Sequence, residues 1–223
     1  TGGALRFVDG KPYVNQTVFR SLDPKTGRPD IDESKKPGTG KEATYCPSLH
    51  GGKNWPPIAF SPRTRMIYIP ANNNMCQTLV GVPVTYTPGR GFTGTGRTSG
   101  PGTTLWPGAT HVGEVQAWNV DTGEKVWTHT YRQANWGPML ATAGGVLFTG
   151  GTPDQNFHAF DAASGKLLWE IPFRVQAGLT IATPRKHENR LFVTAFYNGP
   201  PITVYAVPGA LRLLRWRPIP VPP

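Results

Sequence analysis

No run of about 18 apolar residues occurs in this chain, so no segment is expected to cross a membrane as a helix. Long amphipathic helical patterns are missing too. Cysteine is nearly absent: Cys46 and Cys76 are the only two. Two thiols cannot build a zinc ribbon, and no Cys-x-x-Cys-His haem attachment site is present. Acidic side chains are scarce, 13 against 23 Lys and Arg, for a net charge of +10. A solubilising basic surface accounts for that excess; steering of an acidic partner is the sharper reading. The basic residues are scattered, with no basic helix and no RNA-binding aromatic pattern, so nucleic acid is not an expected partner. There is no Gly-x-Ser-x-Gly elbow and no His-Glu-x-x-His pair. The five histidines (His50, His111, His129, His158, His187) stand apart in sequence and are expected on the surface or in turns. Thr1-Gly2-Gly3 reads as the middle of a longer sequence rather than as a leader.

Glycine (27) and proline (24) are abundant, together over a fifth of the 223 residues. That suits many short strands punctuated by turns. The strands repeat. Asn135-Trp136-Gly137-Pro138 leads into a strand, a Gly-Gly hairpin turn and Val146-Leu147-Phe148-Thr149. Asn54-Trp55-Pro56-Pro57 leads likewise into Ala59-Phe60 and then Met66-Ile67-Tyr68-Ile69, with Trp55 matching Trp136 and Pro57 matching Pro138. Gly178-Leu179-Thr180-Ile181, running on to Leu191-Phe192-Val193-Thr194, is a looser third copy.

A second element recurs in phase. Ala117-Trp118-Asn119-Val120-Asp121-Thr122-Gly123-Glu124-Lys125-Val126-Trp127 is echoed 42 residues later by Ala159-Phe160-Asp161-Ala162-Ala163-Ser164-Gly165-Lys166-Leu167-Leu168-Trp169, and a worn copy is Leu22-Asp23-Pro24-Lys25-Thr26-Gly27. A period of roughly 40 residues with four short strands is the pattern of propeller blades. In the turn, Asp and Thr side chains bond back to the backbone and Gly supplies a positive φ. Asp121 and Asp161 are therefore expected as turn formers. The Trp four residues after the Gly can wedge between blades.

Along the chain, residues 1–20 are expected to pair as two strands around Asp9-Gly10, and residues 21–45 to form a surface excursion. Residues 46–76 read as a Cys-bracketed strand pair. Residues 77–112 read as a long insertion whose Gly89-x-Gly91-x-x-Gly94 lacks the strand and helix of a dinucleotide site. One blade is expected over 113–151 and most of another over 152–206. A basic, proline-rich tail at 209–223 follows no blade pattern, which leaves 1–208 as the partial propeller. Cys46 and Cys76 are two buried thiols, or a disulfide if the protein is exported. A disulfide closing about 30 residues contributes about 3–4 kcal/mol in the chain-entropy model. Asn54-Trp55 and Asn135-Trp136 offer amide groups beside flat aromatic faces, suited either to a planar, oxygen-rich ligand or to turn capping and packing.

These patterns resemble a known family. Ala-x-Asn/Asp-x-x-Thr/Ser-Gly-x-x-x-Trp is similar to the tryptophan-docking motif of quinoprotein propellers. Cys46-Pro47-Ser48-Leu49-His50-Gly51-Gly52-Lys53-Asn54-Trp55, Tyr68-Ile69-Pro70-Ala71-Asn72-Asn73-Asn74-Met75-Cys76 and Trp136-Gly137-Pro138 resemble segments of the PQQ-dependent methanol and alcohol dehydrogenases, in the family's order. The resemblance implies an all-β fold, an eight-bladed β-propeller of which this chain would hold about four blades, an incomplete ring and a C-terminal portion. It implies oxidation of a small primary alcohol by hydride transfer to pyrroloquinoline quinone (PQQ), beside Ca²⁺ or a lanthanide. It also implies electron transfer to a cytochrome c in the periplasm. By motif, Asn54 would hydrogen-bond the quinone, Trp136 would contact it, and Cys46 and Cys76 would form a structural disulfide. The family's metal-binding Glu and Asn, its catalytic Asp, the Trp under the quinone and its vicinal disulfide all lie upstream of the matched region, so no catalytic or metal residue is assigned and the chain alone is expected to be inactive. Tyr197-Asn198-Gly199-Pro200-Pro201 stands where the family has a Gly-rich segment with Trp. A homodimer is left open. The competing reading is a non-catalytic propeller repeat module that binds proteins.

Overall fold

The computed structural model describes residue 3, residues 5–175, 182–188 and 190–194, and the backbone of 203–206. The third strand-pair copy from Gly178 to Ile181, the segment 197–201 and the 209–223 tail lie outside the described residues. All the regular structure described is β apart from one short 3₁₀ turn at Glu33–Lys35. None of the described helical residues forms a segment long and apolar enough to cross a membrane. The chain divides into two compact units, 1–52 with 72–110, and 53–71 with 111–223.

In the first unit, β1 (Phe19–Leu22) and β2 (Pro29–Ile31) form a hairpin, and β3 (Glu42–Tyr45), β6 (Met75–Val80) and β7 (Thr103–Leu105) form an antiparallel sheet in the order β3-β6-β7. Cys46 and Cys76 continue the β3–β6 ladder just past the Tyr45–Gln77 pair and are joined as a disulfide. The bond therefore ties two paired strands. Residues 5–18 hold no strand, contrary to the expected pairing of residues 1–20. Leu5 and Val8 are exposed, and Phe7 instead lies on Gly27, where a Cβ would come within 2.5 Å of its ring. Inside 77–112, residues 77–80 continue β6 and 103–105 form β7; Gly89 to Gly94 is loop, with no strand leading into a helix.

The second unit holds two four-stranded antiparallel sheets. The first has the order β4 (Ala59–Ser61), β5 (Met66–Asn72), β8 (Gly113–Asn119), β9 (Lys125–Tyr131). The second is β10 (Met139–Ala141), β11 (Val146–Thr149), β12 (Asn156–Asp161), β13 (Leu167–Pro172). A third sheet contains β14 (Arg185–His187), β15 (Arg190–Val193) and β16 (Thr203–Ala206). The expected boundaries at 113–151 and 152–206 are corrected: each sheet starts at a Trp-Pro hairpin and ends at the strand after the Thr/Ser-Gly turn. The sheet beginning at 139 therefore closes at 172, and 113–131 belongs with 59–72. The repeat is close: both sheets carry a register irregularity at matching places, Ala117/Trp118 and Ala159/Phe160.

Period-2 alternation places the core. On β11, Leu147 joins Met66, Tyr68, Val115, Ala117, Met139 and Phe160 in one cluster, while Phe148 joins Phe157, Ala159, Phe173, Leu191 and Val193 in another. The second sheet is thus buried on both faces, which is why β11 carries successive apolar residues, Val146-Leu147-Phe148, and β12 carries Phe157, Ala159 and Phe160 on both of its faces.

The three turn copies share one structure. Asp23, Asn119 and Asp161 each accept from backbone N–H groups three residues on, at 2.7, 3.1 and 2.8 Å. Gly27, Gly123 and Gly165 sit at φ of 70, 69 and 73° and donate back to those residues' carbonyls at 2.8, 2.9 and 2.9 Å. Asp161 is a turn former, as expected. Asp121 is not: Asn119 takes that role, and Asp121 pairs with Arg65 at 2.5 Å. The Ser164 hydroxyl and N–H hold the Asp161 carboxyl below its ordinary value of 3.8. Its contribution is therefore present above that value and is lost as the pH falls through the lower folded one. Because Asn119 does the same work uncharged, Asp161→Asn is expected to change stability at pH 7 by no more than about 0.5 kcal/mol. It should also flatten the acid limb below pH 4, as read by urea unfolding across pH.

Candidate quinone-contacting site

Two hairpin entries come together in the second unit. The Trp55 ring stacks on Trp136, centroids 5.1 Å apart and planes inclined by 14°. The N–H of Met139 bonds the carbonyl of Pro57 at 3.1 Å, so β10 enters its sheet directly beside the entry to β4. The matching residues of the repeat thus lie side by side. Trp55 remains 49% exposed and presents one flat face outward. Trp136 is half-buried beneath it.

The two asparagines, alike in sequence, differ in structure. Asn135 is fully buried. Its Nδ2 donates to the Glu114 carbonyl at 2.9 Å and its Oδ1 accepts from the Gly137 N–H at 2.9 Å, so it caps a turn. Gly137 is required next to it: a Cβ would fall 2.6 Å from both the Gly150 carbonyl and the Thr149 hydroxyl. Thr149 is fully buried and its hydroxyl has no hydrogen-bond partner among the described residues. Asn54 is only partly buried. Its Oδ1 accepts from the Trp55 N–H at 2.8 Å, which fixes the amide plane and turns Nδ2 away as a donor. The two copies differ: Asn135 caps a turn through both amide atoms, while Asn54 makes one local bond, accepting from the Trp55 N–H, beside an exposed indole.

Quinone and carboxylate oxygens are acceptors, and a fused-ring quinone is flat. An oriented amide N–H₂ beside a stacked, half-exposed indole pair fits such a group in both chemistry and shape. The Asp161 carboxylate serves its own turn, and that of Asp121 pairs with Arg65.

Comparison with known proteins decides the family. A family model described as outer membrane protein assembly factor BamB (PQQ_2) matches residues 111–217. Quinoprotein ethanol dehydrogenase of Pseudomonas aeruginosa is 36% identical over 84% of this chain and 30% of its own length. The chain belongs to the quinoprotein alcohol dehydrogenase family. Lupanine 17-hydroxylase [cytochrome c] of a Pseudomonas species is 32% identical over 95% of the chain and 31% of its own length. The solved structure of a europium-containing methanol dehydrogenase superposes with a TM-score of 0.65 at 26% identity, over 89% of this chain and 32% of that one. The fold is accordingly part of a quinoprotein β-propeller. The chain spans about a third of the length of these relatives.

One cluster escaped the sequence reading. His158, expected on the surface or in a turn, is 1% exposed and faces Asp154 and Glu170. Only the Asp154-x-x-x-His158 spacing was legible; Glu170 reaches His158 through the β12–β13 register, which sequence spacing does not reveal.

The split between the two asparagines is measurable. Asn135→Ala leaves two buried backbone groups unpaired and is expected to cost about 2–4 kcal/mol, whereas Asn54→Ala should cost under about 1 kcal/mol, both by urea unfolding. Equal costs would place Asn54 among the structural caps.

Proposed function

We propose that this chain is part of a PQQ-dependent dehydrogenase that oxidises a small primary alcohol, such as methanol or ethanol, to the aldehyde. The observation that carries the reading is the Asn54 amide set beside the Trp55–Trp136 stack. PQQ, when bound, accepts hydride from the alcohol, with Ca²⁺ or a lanthanide as Lewis acid. In this reading Asn54 donates from Nδ2 to a quinone oxygen, and Trp136 supports the Trp55 face and contacts the cofactor. The metal and the base are supplied outside these 223 residues, so the chain alone is inactive. Electrons leave to a cytochrome c. The Cys46–Cys76 disulfide, with no free cysteine in the chain, accords with an oxidising compartment, and we place the protein in the periplasm.

The test is PQQ titration of the 223-residue chain, read by quenching of its tryptophan fluorescence. Saturable quenching, weakened about fivefold or more by Asn54→Ala through the loss of one hydrogen bond, is the expected result. Absence of saturable quenching, or an Asn54→Ala curve superimposable on the parent, overturns the assignment. Dye reduction by the isolated chain with an alcohol, PQQ and Ca²⁺ would contradict the proposed inactivity.

A further inference from the structure

The cluster at the β12–β13 edge has the makings of a second site. His158 Nε2 lies 2.9 Å from Asp154 Oδ2 and 3.3 Å from Glu170 Oε2. The three ligand atoms fall within 4.8 Å of one another. On its other side, His158 Nδ1 is 3.4 Å from the Thr152 hydroxyl. That hydroxyl donates toward Asp154 Oδ1 at 2.6 Å and the Asn156 carbonyl at 3.0 Å, so it has a lone pair to offer an Nδ1–H. An Nδ1–H bond of this kind is the second interaction that orients a metal-binding imidazole. Nε2 and the two carboxylate oxygens converge on one point, and with Nε2 unprotonated they offer a cation three ligand atoms.

The spacing fits an ion. Ligands about 2.1 Å from a common zinc, at angles from square to tetrahedral, lie about 3.0–3.4 Å apart. The two histidine–carboxylate distances match, and a small swing of the 46%-exposed Glu170 brings its oxygen closer to that of Asp154. Rigidity comes from packing: His158 stacks on Phe160 at 5.5 Å and lies against Tyr131 and His129. A cavity of about 500 Å³ lined by Tyr131, Arg132, Gln133, Pro153 and Asp154 adjoins the cluster and leaves room for water in the remaining coordination positions. The Tyr131 hydroxyl there is buried beside Thr152 without a well-formed hydrogen bond, an independent sign of a polar occupant.

We propose that Asp154, His158 and Glu170 bind a divalent first-row transition metal of the zinc class, through Oδ2, Nε2 and Oε2. The ion ties the turn before β12 to β12 and β13, apart from the quinone-contacting pair. One imidazole with two carboxylates selects such a metal over Ca²⁺ or Mg²⁺, which prefer all-oxygen shells.

The experiment is Zn²⁺ titration of the folded, EDTA-treated 223-residue chain in competition with a chromophoric chelator. One equivalent should bind, and Glu170→Gln should weaken it about tenfold or more, because the exposed carboxylate is lost without disturbing the core. His187→Gln, at an exposed histidine, should leave binding unchanged. Ca²⁺ at millimolar concentration should not compete. No stoichiometric binding, binding indifferent to Glu170→Gln, or displacement by Ca²⁺ overturns the proposal.

Discussion

One carbonyl holds the second unit together. The oxygen of Ala162, in the turn between β12 and β13, accepts from the buried Tyr68 hydroxyl at 2.9 Å and from Trp127 Nε1 at 3.1 Å. Both donors come from the neighbouring sheet, and both lone pairs are used. Beside it, Gly165 lies flat on the Trp127 indole, where a Cβ would stand 2.5 Å from the ring. Trp127 also packs on Tyr68 and Phe160. The glycine thus meets two demands at once, a φ of 73° and the close approach of an indole. A tight turn in one sheet becomes the docking surface for its neighbour.

Fixing the sheets at that edge has a consequence at the other. The entries to β4 and β10 lie side by side, joined by the Met139–Pro57 bond, and their tryptophans stack. The candidate site is therefore a by-product of repetition: the same residue in consecutive repeats makes one two-layered aromatic surface. Divergence within the repeat then assigns the work. Asn135 was drawn into the turn as a cap, and Asn54, ahead of Pro56 and Pro57, kept its amide nitrogen available.

Much of this was legible in sequence because it is local. The turn copies, their Gly positions and the Trp55–Trp136 equivalence rest on spacing, and spacing survives folding; the Cys46–Cys76 disulfide was implied by the family resemblance. Asp121 misled because it lies inside the turn motif, yet Asn119, which aligns with Asp161, accepts from the Thr122 N–H and leaves Asp121 to Arg65. The strand pair expected within residues 1–20 did not form over 5–18, where Phe7 packs on Gly27 instead. Sheet membership also escaped, since β5 pairs with β8 across an excursion of some forty residues. The Asp154–His158–Glu170 cluster depends on cross-strand register, which no one-dimensional spacing carries.

The central claim is that Trp127 docking on the Gly165 turn joins the sheets, and a double-mutant cycle tests it most directly. Stability to urea would be measured for the parent, Gly165→Ala, Trp127→Leu and the pair. Docking predicts that Gly165→Ala costs more with Trp127 present than with Leu, with a coupling of about 1 kcal/mol or more, because the added methyl meets the indole. Additive costs, within about 0.3 kcal/mol, would mean that the glycine serves only its turn and that something else joins the sheets.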